Sequence, residues 1–234
     1  MNSVALAEAL LSAVKNGRAT DSFIEQLHQL SVIQLQRDLE KTGHRKAFWI
    51  NLYNASTQIL LEQYQPDFSD RLQRIRFFSQ RKINLAGHLL SLNNMEHGIL
   101  RHSATWWSMG YFKKPIADRF ERSLRVPLDY RIHFALNCGA GSCPAISFYS
   151  ADKINDELTN SMQSFLDQEV TINEQKNLLT ASALFNWYRG DFGGRQGLIH
   201  LFCRHFAIPE NKQIKITFKS YNWTVHLRKF NDGI

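Results

Sequence analysis

The sequence predicts an α+β fold: a helix-rich single domain in which a small, mainly antiparallel sheet packs on a buried central helix. Three observations carry this. Helical periodicity outnumbers strand alternation along the chain. The strand-like runs come in pairs joined by short turns, as antiparallel hairpins do. One helical stretch, AFWINLYNA, is apolar almost all round, which marks a helix buried on every side. No repeat, low-complexity tract or Pro/Gly/Ser linker divides the 234 residues, so one globular unit is expected. Within it, residues 1–44 form N-terminal helices packed on the core and residues 45–234 form the main domain.

The elements follow in order. Residues 3–16 read as a helix stopped by Gly17. A second helix starts near Ser22, with Glu25 completing a capping box, and a third covers about 31–41. The central helix spans about 45–64, and on it Asn51, Asn54 and Gln58 share one face. A basic helix follows near 70–79. KINLAGHLLSL reads as a hairpin turning at Ala86–Gly87. Asn93 caps a short helix with Glu96 completing a second box. A polar helix is expected near 114–124 and an amphipathic one over 151–168, through Ile154, Leu158, Met162 and Phe165. EVTIN and NLLT are short strands, helices follow near 181–189 and 195–207, and KITFKSYNWTVHL reads as a closing hairpin.

Composition narrows the class of function. The chain is 44% hydrophobic and 12% aromatic, enough for a filled core. Three cysteines, an odd count in a long chain, argue against a disulfide framework and for free thiols in a reducing, cytoplasmic setting. The N-terminus lacks a basic lead followed by a clean apolar run, so it does not read as a signal peptide. No stretch is long and apolar enough for a membrane span. The formal charge of +7 is scattered, densest over Arg71–Lys82, and accompanies no nucleic-acid motif. It is read as a solvated face, with nucleic acid not expected as a partner.

The densest chemical signal is DYRIHFALNCGAGSCPAI. Whether strand or helix, His133 and Asn137 share a face. Cys138 opens a loop of small residues that ends at Cys143-Pro144. Successive N–H groups in such a loop can cradle an oxyanion, and an imidazole beside a thiol lowers the cost of forming thiolate. The spacing C-x4-C lacks the tight knuckle of a zinc site, so no metal and no cofactor are expected. Glu96 and His97 in NNMEHGILR, and Asp191 in WYRGDFGG, are candidates to orient an imidazole.

The blocks FWINLYNA, SLNNMEHGILR, DYRIHFALNCGAGSCPAI, FNWYRGDFGG and YNWTVHL resemble, in order, the motif series of the domain-of-unknown-function family 547. They cover about residues 45–228. Tyr130 stands where members often carry Pro and leaves His133 in place. The resemblance implies a shared fold and says little of activity. A weaker analogy runs to papain- and transglutaminase-like folds, which pack a buried helix on an antiparallel sheet; no Cys stands at the start of the 45–64 helix, as that layout requires.

The reading that follows is a cysteine-dependent hydrolase or acyl-transfer enzyme. Cys143 or Cys138 is the nucleophile and His133 the base. Asn51, Asn54 or Asn137 supply orienting or oxyanion groups, with Asp191, Glu96 and His97 in support. The partner is a small-molecule or peptide ligand. The alternative is a non-catalytic interaction or ligand-binding scaffold, in which the same amides brace a strained loop.

Overall fold

A computed structural model describes residues 1–209 and 213–231. Helices α1 (Ser3–Lys15), α2 (Asp21–Gln29) and α3 (Val32–Asp38) lead into the long central helix α4 (Thr42–Tyr64). Asn2 caps α1 by accepting from the amide of Ala5 at 2.8 Å. The Leu6, Leu10, Leu11 and Val14 face of α1 packs into the same core as Phe48, Trp49 and Leu52 of α4. On α4 every residue from Lys46 to Gln58 is buried, as its all-round apolar sequence predicts. The expected capping box of α2 is absent, because Thr20 caps without a side-chain hydrogen bond.

Helix α5 (Arg71–Ser79) precedes the hairpin β1 (Ile83–Leu85) and β2 (His88–Leu90). Its turn falls at Ala86 and Gly87, both at positive φ, 51° and 75°. That is the two-residue turn whose twist suits paired strands. A π-helix over Asn94–Leu100 follows, then α6 (Arg119–Leu124), which is shorter than expected. After a 3₁₀ helix at Tyr130–Phe134 come α7 (Ile154–Glu169), β3 (Thr171–Asn173), β4 (Leu178–Ala181), α8 (Leu184–Trp187), α9 (Gly194–His205) and β5 (Lys215–Phe218). Among the described residues no helix is long and apolar enough to cross a membrane.

The core has two centres. One surrounds α4; the other joins Phe134, Phe165, Phe185, Phe192 and Phe202 with Leu179 and Ala181 of β4. The larger sheet, in the order β3-β4-β5, serves this second centre. Its β3–β4 pair is antiparallel, while β4–β5 is parallel. After α8 and α9 the chain returns as β5 in parallel pairing with β4, so the expected closing hairpin does not form. After β5 the chain instead runs past the glycine loop, bridging Ala140 to Val225 and Ile146 to Phe230.

The segment around His133 is neither strand nor regular α-helix. Asp129 caps it by accepting from the Arg131 amide at 3.1 Å, and Lys46 and Arg131 clamp that carboxylate at 2.5 and 2.7 Å. Asn54 then takes the place of a neighbouring strand. Its Nδ2 donates to the Ala135 carbonyl at 2.9 Å, and its Oδ1 accepts from the Asn137 amide at 2.9 Å. With both backbone groups satisfied by one side chain, no ladder partner is needed.

Candidate functional site

The π-helix, the 3₁₀ helix and α8 meet at a cleft of about 560 Å³. Tyr53, Glu96, His97, His133, Cys138, Cys143, Tyr188 and Tyr221 reach its wall, and Trp106, Trp187 and Trp223 stand there with Arg71 and Arg74. The π-helix widens the backbone by one residue per turn, a distortion common at functional sites. The Arg101 amide closes it onto the Glu96 carbonyl at 2.7 Å. This register sets Glu96, His97 and Arg101 in one buried cluster. Asn93 makes no side-chain cap bond.

Asp191 organises the cluster from behind. Its Oδ2 accepts from Arg101 Nε at 2.6 Å and lies 2.8 Å from His133 Nε2. Both carboxylate and guanidinium side chains are fully buried. The Asp191 carboxyl is held at about 2: burial opposes ionisation, but the bonds to His133 and Arg101 outweigh it. Burial pushes the His133 imidazole below its ordinary value, partly offset by Asp191. A neutral His133 that donates through Nε2 leaves Nδ1 bare, which is the geometry of a general base. Its ring stacks on Tyr188 at 3.9 Å, and Arg101 lies 4.7 Å over the same tyrosine.

A second acid–imidazole pair adjoins the first. Arg101 Nη1 contacts His97 Nδ1 at 2.8 Å. A guanidinium can only donate, so that nitrogen accepts and His97 is neutral with its proton on Nε2. Burial holds its pKa at about 4. Glu96 accepts from the hydroxyls of Tyr188 at 2.7 Å and Tyr53 at 3.3 Å. Burial alone would raise the Glu96 carboxyl; the Arg101 charge and the Tyr188 bond are among the interactions that outweigh it and hold it below the ordinary range.

The cysteines differ from expectation. Cys138 and Cys143 are joined in a disulfide, not held as two free thiols. A loop of small residues brings their Cα atoms to 6.2 Å, within reach of a bridge. The Tyr221 hydroxyl sits 3.1 Å from Cys143 Sγ and 3.5 Å from Cys138 Sγ. The third cysteine, Cys203, is buried on α9, outside the cleft.

The glycine loop does not offer a row of open amides, which corrects the oxyanion cradle inferred from its composition. Gly139 N–H donates to Asn137 Oδ1, Gly141 N–H to the Thr224 carbonyl, and Ser142 N–H to the Asn222 carbonyl. The Cys143 amide donates to the Ala140 carbonyl, and the Cys138 amide to Cys143 Sγ at 3.1 Å. Nor do the three asparagines face the cleft. Asn51 donates to the Tyr149 carbonyl at 2.8 Å and accepts from its amide at 3.1 Å. Asn54 is spent on residues 135 and 137, while Asn137 donates to the Pro144 carbonyl at 2.7 Å. His133 and Asn137 therefore point to different places: the 3₁₀ helix ends at Phe134, and the face they would share in a regular element is lost.

His133, Glu96, His97, Asp191 and both cysteines, all candidates from the sequence, are brought together here. Arg101, which shares a helical face with His97 in the sequence but was not a candidate, joins them, as do Tyr53, Tyr188 and Tyr221. Arg101 was legible in NNMEHGILR as the residue one turn beyond His97, and Tyr188 as the neighbour of Asp191 in WYRGD. Nothing near Tyr221 marked it.

Residues 37–166 match the family described as Protein of unknown function, DUF547. The chain belongs to this family. No curated protein and no solved structure matches it. The matched DUF547 segment carries Glu96, His97, Arg101, His133 and both disulfide cysteines. Asp191, Tyr188 and Tyr221, which complete the cleft, lie beyond it.

Proposed function

We propose that this cleft is the active site of a thiol-dependent acyl-transfer or hydrolytic enzyme. Cys143 is the nucleophile in the reduced protein, His133 the base and Asp191 its positioning residue. The observation that carries the reading is that Cys143 and His133 share one cleft while Asp191 holds His133 by Nε2 at 2.8 Å. Nucleophile, imidazole and orienting carboxylate recur in this relation on unrelated folds.

In this reading the Cys143 thiol gives its proton to His133 Nδ1. The thiolate attacks the acyl carbon, and the carbonyl electron pair moves to oxygen. The Tyr221 hydroxyl, beside Cys143 Sγ, donates to that oxyanion in place of the occupied loop amides. When the tetrahedral centre collapses, His133 returns the proton to the leaving group. Water or a second nucleophile then releases the acyl group. Aromatic walls and the cations Arg71 and Arg74 favour a small molecule or peptide with an apolar body and an anionic end.

The test uses the protein reduced with dithiothreitol, freed of reductant, and mixed with p-nitrophenyl acetate. Intact-mass and peptide analysis should find an acetyl group on Cys143. H133A should slow its formation roughly 100-fold or more. Reduced, folded protein that gains no Cys143 adduct from this ester or longer-chain esters would leave a ligand-binding pocket without covalent chemistry.

A further inference from the structure

The two disulfide sulfurs are not equivalent. Cys143 is 2% exposed, whereas Cys138 is half-buried and opens onto the cleft. Cys143 Sγ accepts the Cys138 amide hydrogen at 3.1 Å and faces the Tyr221 hydroxyl at the same distance. An attacking thiolate therefore reaches Cys138 first. The sulfur it displaces, Cys143, is the one already provided with two donors that stabilise a thiolate.

We infer that the Cys138–Cys143 disulfide is a reversible redox gate on this site, opened by a dithiol reductant that attacks Cys138. The inference rests on the assignment of Cys143 as nucleophile. A reductant thiolate bonds to Cys138 Sγ, and the Cys138–Cys143 bond breaks with its electron pair on Cys143. The second thiol of the reductant, as thiolate, then attacks the reductant sulfur of the mixed disulfide and expels Cys138. The sum is protein disulfide plus dithiol giving protein dithiol plus cyclic or linked disulfide; the two protons of the dithiol end on the cysteines.

On this assignment Cys138 forms the gate, while Cys143 does the chemistry. The glycine loop supports opening without unfolding. Its amides are tied to Thr224, Asn222 and Asn137, and Lys229 Nζ donates to the carbonyls of Gly141 and Cys143 at 3.0 and 2.7 Å. These bonds hold the loop when the sulfur bridge is gone.

The experiment equilibrates the full chain in mixtures of reduced and oxidised dithiothreitol. Iodoacetamide labelling under native conditions follows the thiols, p-nitrophenyl acetate follows acylation, and circular dichroism monitors the fold. Two labels at Cys138 and Cys143 should appear on reduction with the fold retained, and acylation of Cys143 should rise at least tenfold in step and fall again on reoxidation. Cys138→Ser should be acylated without reductant, and Cys143→Ser not at all. A bridge that opens only in denaturant overturns the gate, while acylation of Cys138→Ser would still uphold Cys143 as nucleophile. If the bridge opens natively but neither reduced protein nor Cys138→Ser is acylated, the nucleophile assignment fails and takes the gate with it. Cys138→Ala serves in place of the serine variant should the latter not fold.

Discussion

His133 and Asp191, 58 residues apart in sequence, meet at 2.8 Å in the protein interior, with the side chains 1% and 0% exposed. The same carboxylate oxygen neutralises Arg101, which has no access to water. Removing the charge of Asp191 therefore does two things at once. It strands a buried guanidinium, and it frees the imidazole to turn.

Asp191→Asn should destabilise the fold by about 3 kcal/mol, because breaking a buried pair leaves an uncompensated charge. Chemical denaturation measures this. A purely structural role would end there. As a positioning residue, Asp191 also raises the His133 pKa, so its loss should shift the acidic limb of the Cys143 acylation rate to lower pH. A limb that stays in place would leave Asp191 a structural counter-ion only.

Stability should fall on acidification before the carboxylates titrate. His97 has its pKa lowered from 6.5 to about 4, chiefly by burial. The unfolded chain then binds the proton more readily than the folded one between those values. Stability is complete above about 6.5 and is lost as the pH drops toward 4, by about 3 kcal/mol for His97 alone. His133, lowered for the same reason, adds in the same direction. Unfolding free energy followed from pH 7 to pH 4 should show this slope, and His97→Gln should flatten it. Asp129 and Asp191, both near 2, act below that window, between 3.8 and 2.

The loop that carries Trp106 packs against the buried pair at Gly110. A Cβ there would lie 2.2 Å from Asp191 Oδ1 and 2.7 Å from its amide, at a φ of +94°. Gly110→Ala should cost at least about 2 kcal/mol, strain and overpacking together, and should reduce acylation by moving Asp191. Gly87 is the control. It has φ +75° and nothing within 4 Å of a Cβ, so Gly87→Ala should cost only about 1 kcal/mol of backbone strain and spare the chemistry. Equal effects at the two positions would deny the coupling.

What the sequence disclosed was periodicity and adjacency. The all-round apolar α4, the Ala86–Gly87 turn and the clustering of His133 with the cysteines could be read directly. Four features could not. The π-helix is one residue out of helical register, so no 3.6-residue pattern announces the distortion that sets Glu96, His97 and Arg101 together. The exit from the 3₁₀ helix at Ala135 to Asn137 is braced by Asn54, 81 and 83 residues away from its partners; local propensity carries no trace of that. An odd count of three cysteines points away from the disulfide, although the small residues between Cys138 and Cys143 are what allow the short loop to close. Arg101 and Asp191 found each other across 90 residues, a pairing that spacing alone does not encode.

Asn54 gives a prediction that separates bracing from chemistry. Its amide replaces two backbone partners at the junction of the 3₁₀ helix and the glycine loop, and it is completely buried. Asn54→Ala leaves the Ala135 carbonyl and the Asn137 amide in the interior without partners, at about 1 to 3 kcal/mol each. Thermal or denaturant unfolding should register a loss of about 2 to 5 kcal/mol. The loop it braces leads straight to Cys138, so iodoacetamide should label Cys138 faster in the reduced variant than in the reduced parent. An oxyanion-binding side chain would behave differently. Its removal would slow Cys143 acylation by about 100-fold while leaving stability near that of the parent. Because both amide atoms already have backbone partners at 2.9 Å, the first pattern is expected, and the second would return Asn54 to the catalytic group from which its hydrogen bonds remove it.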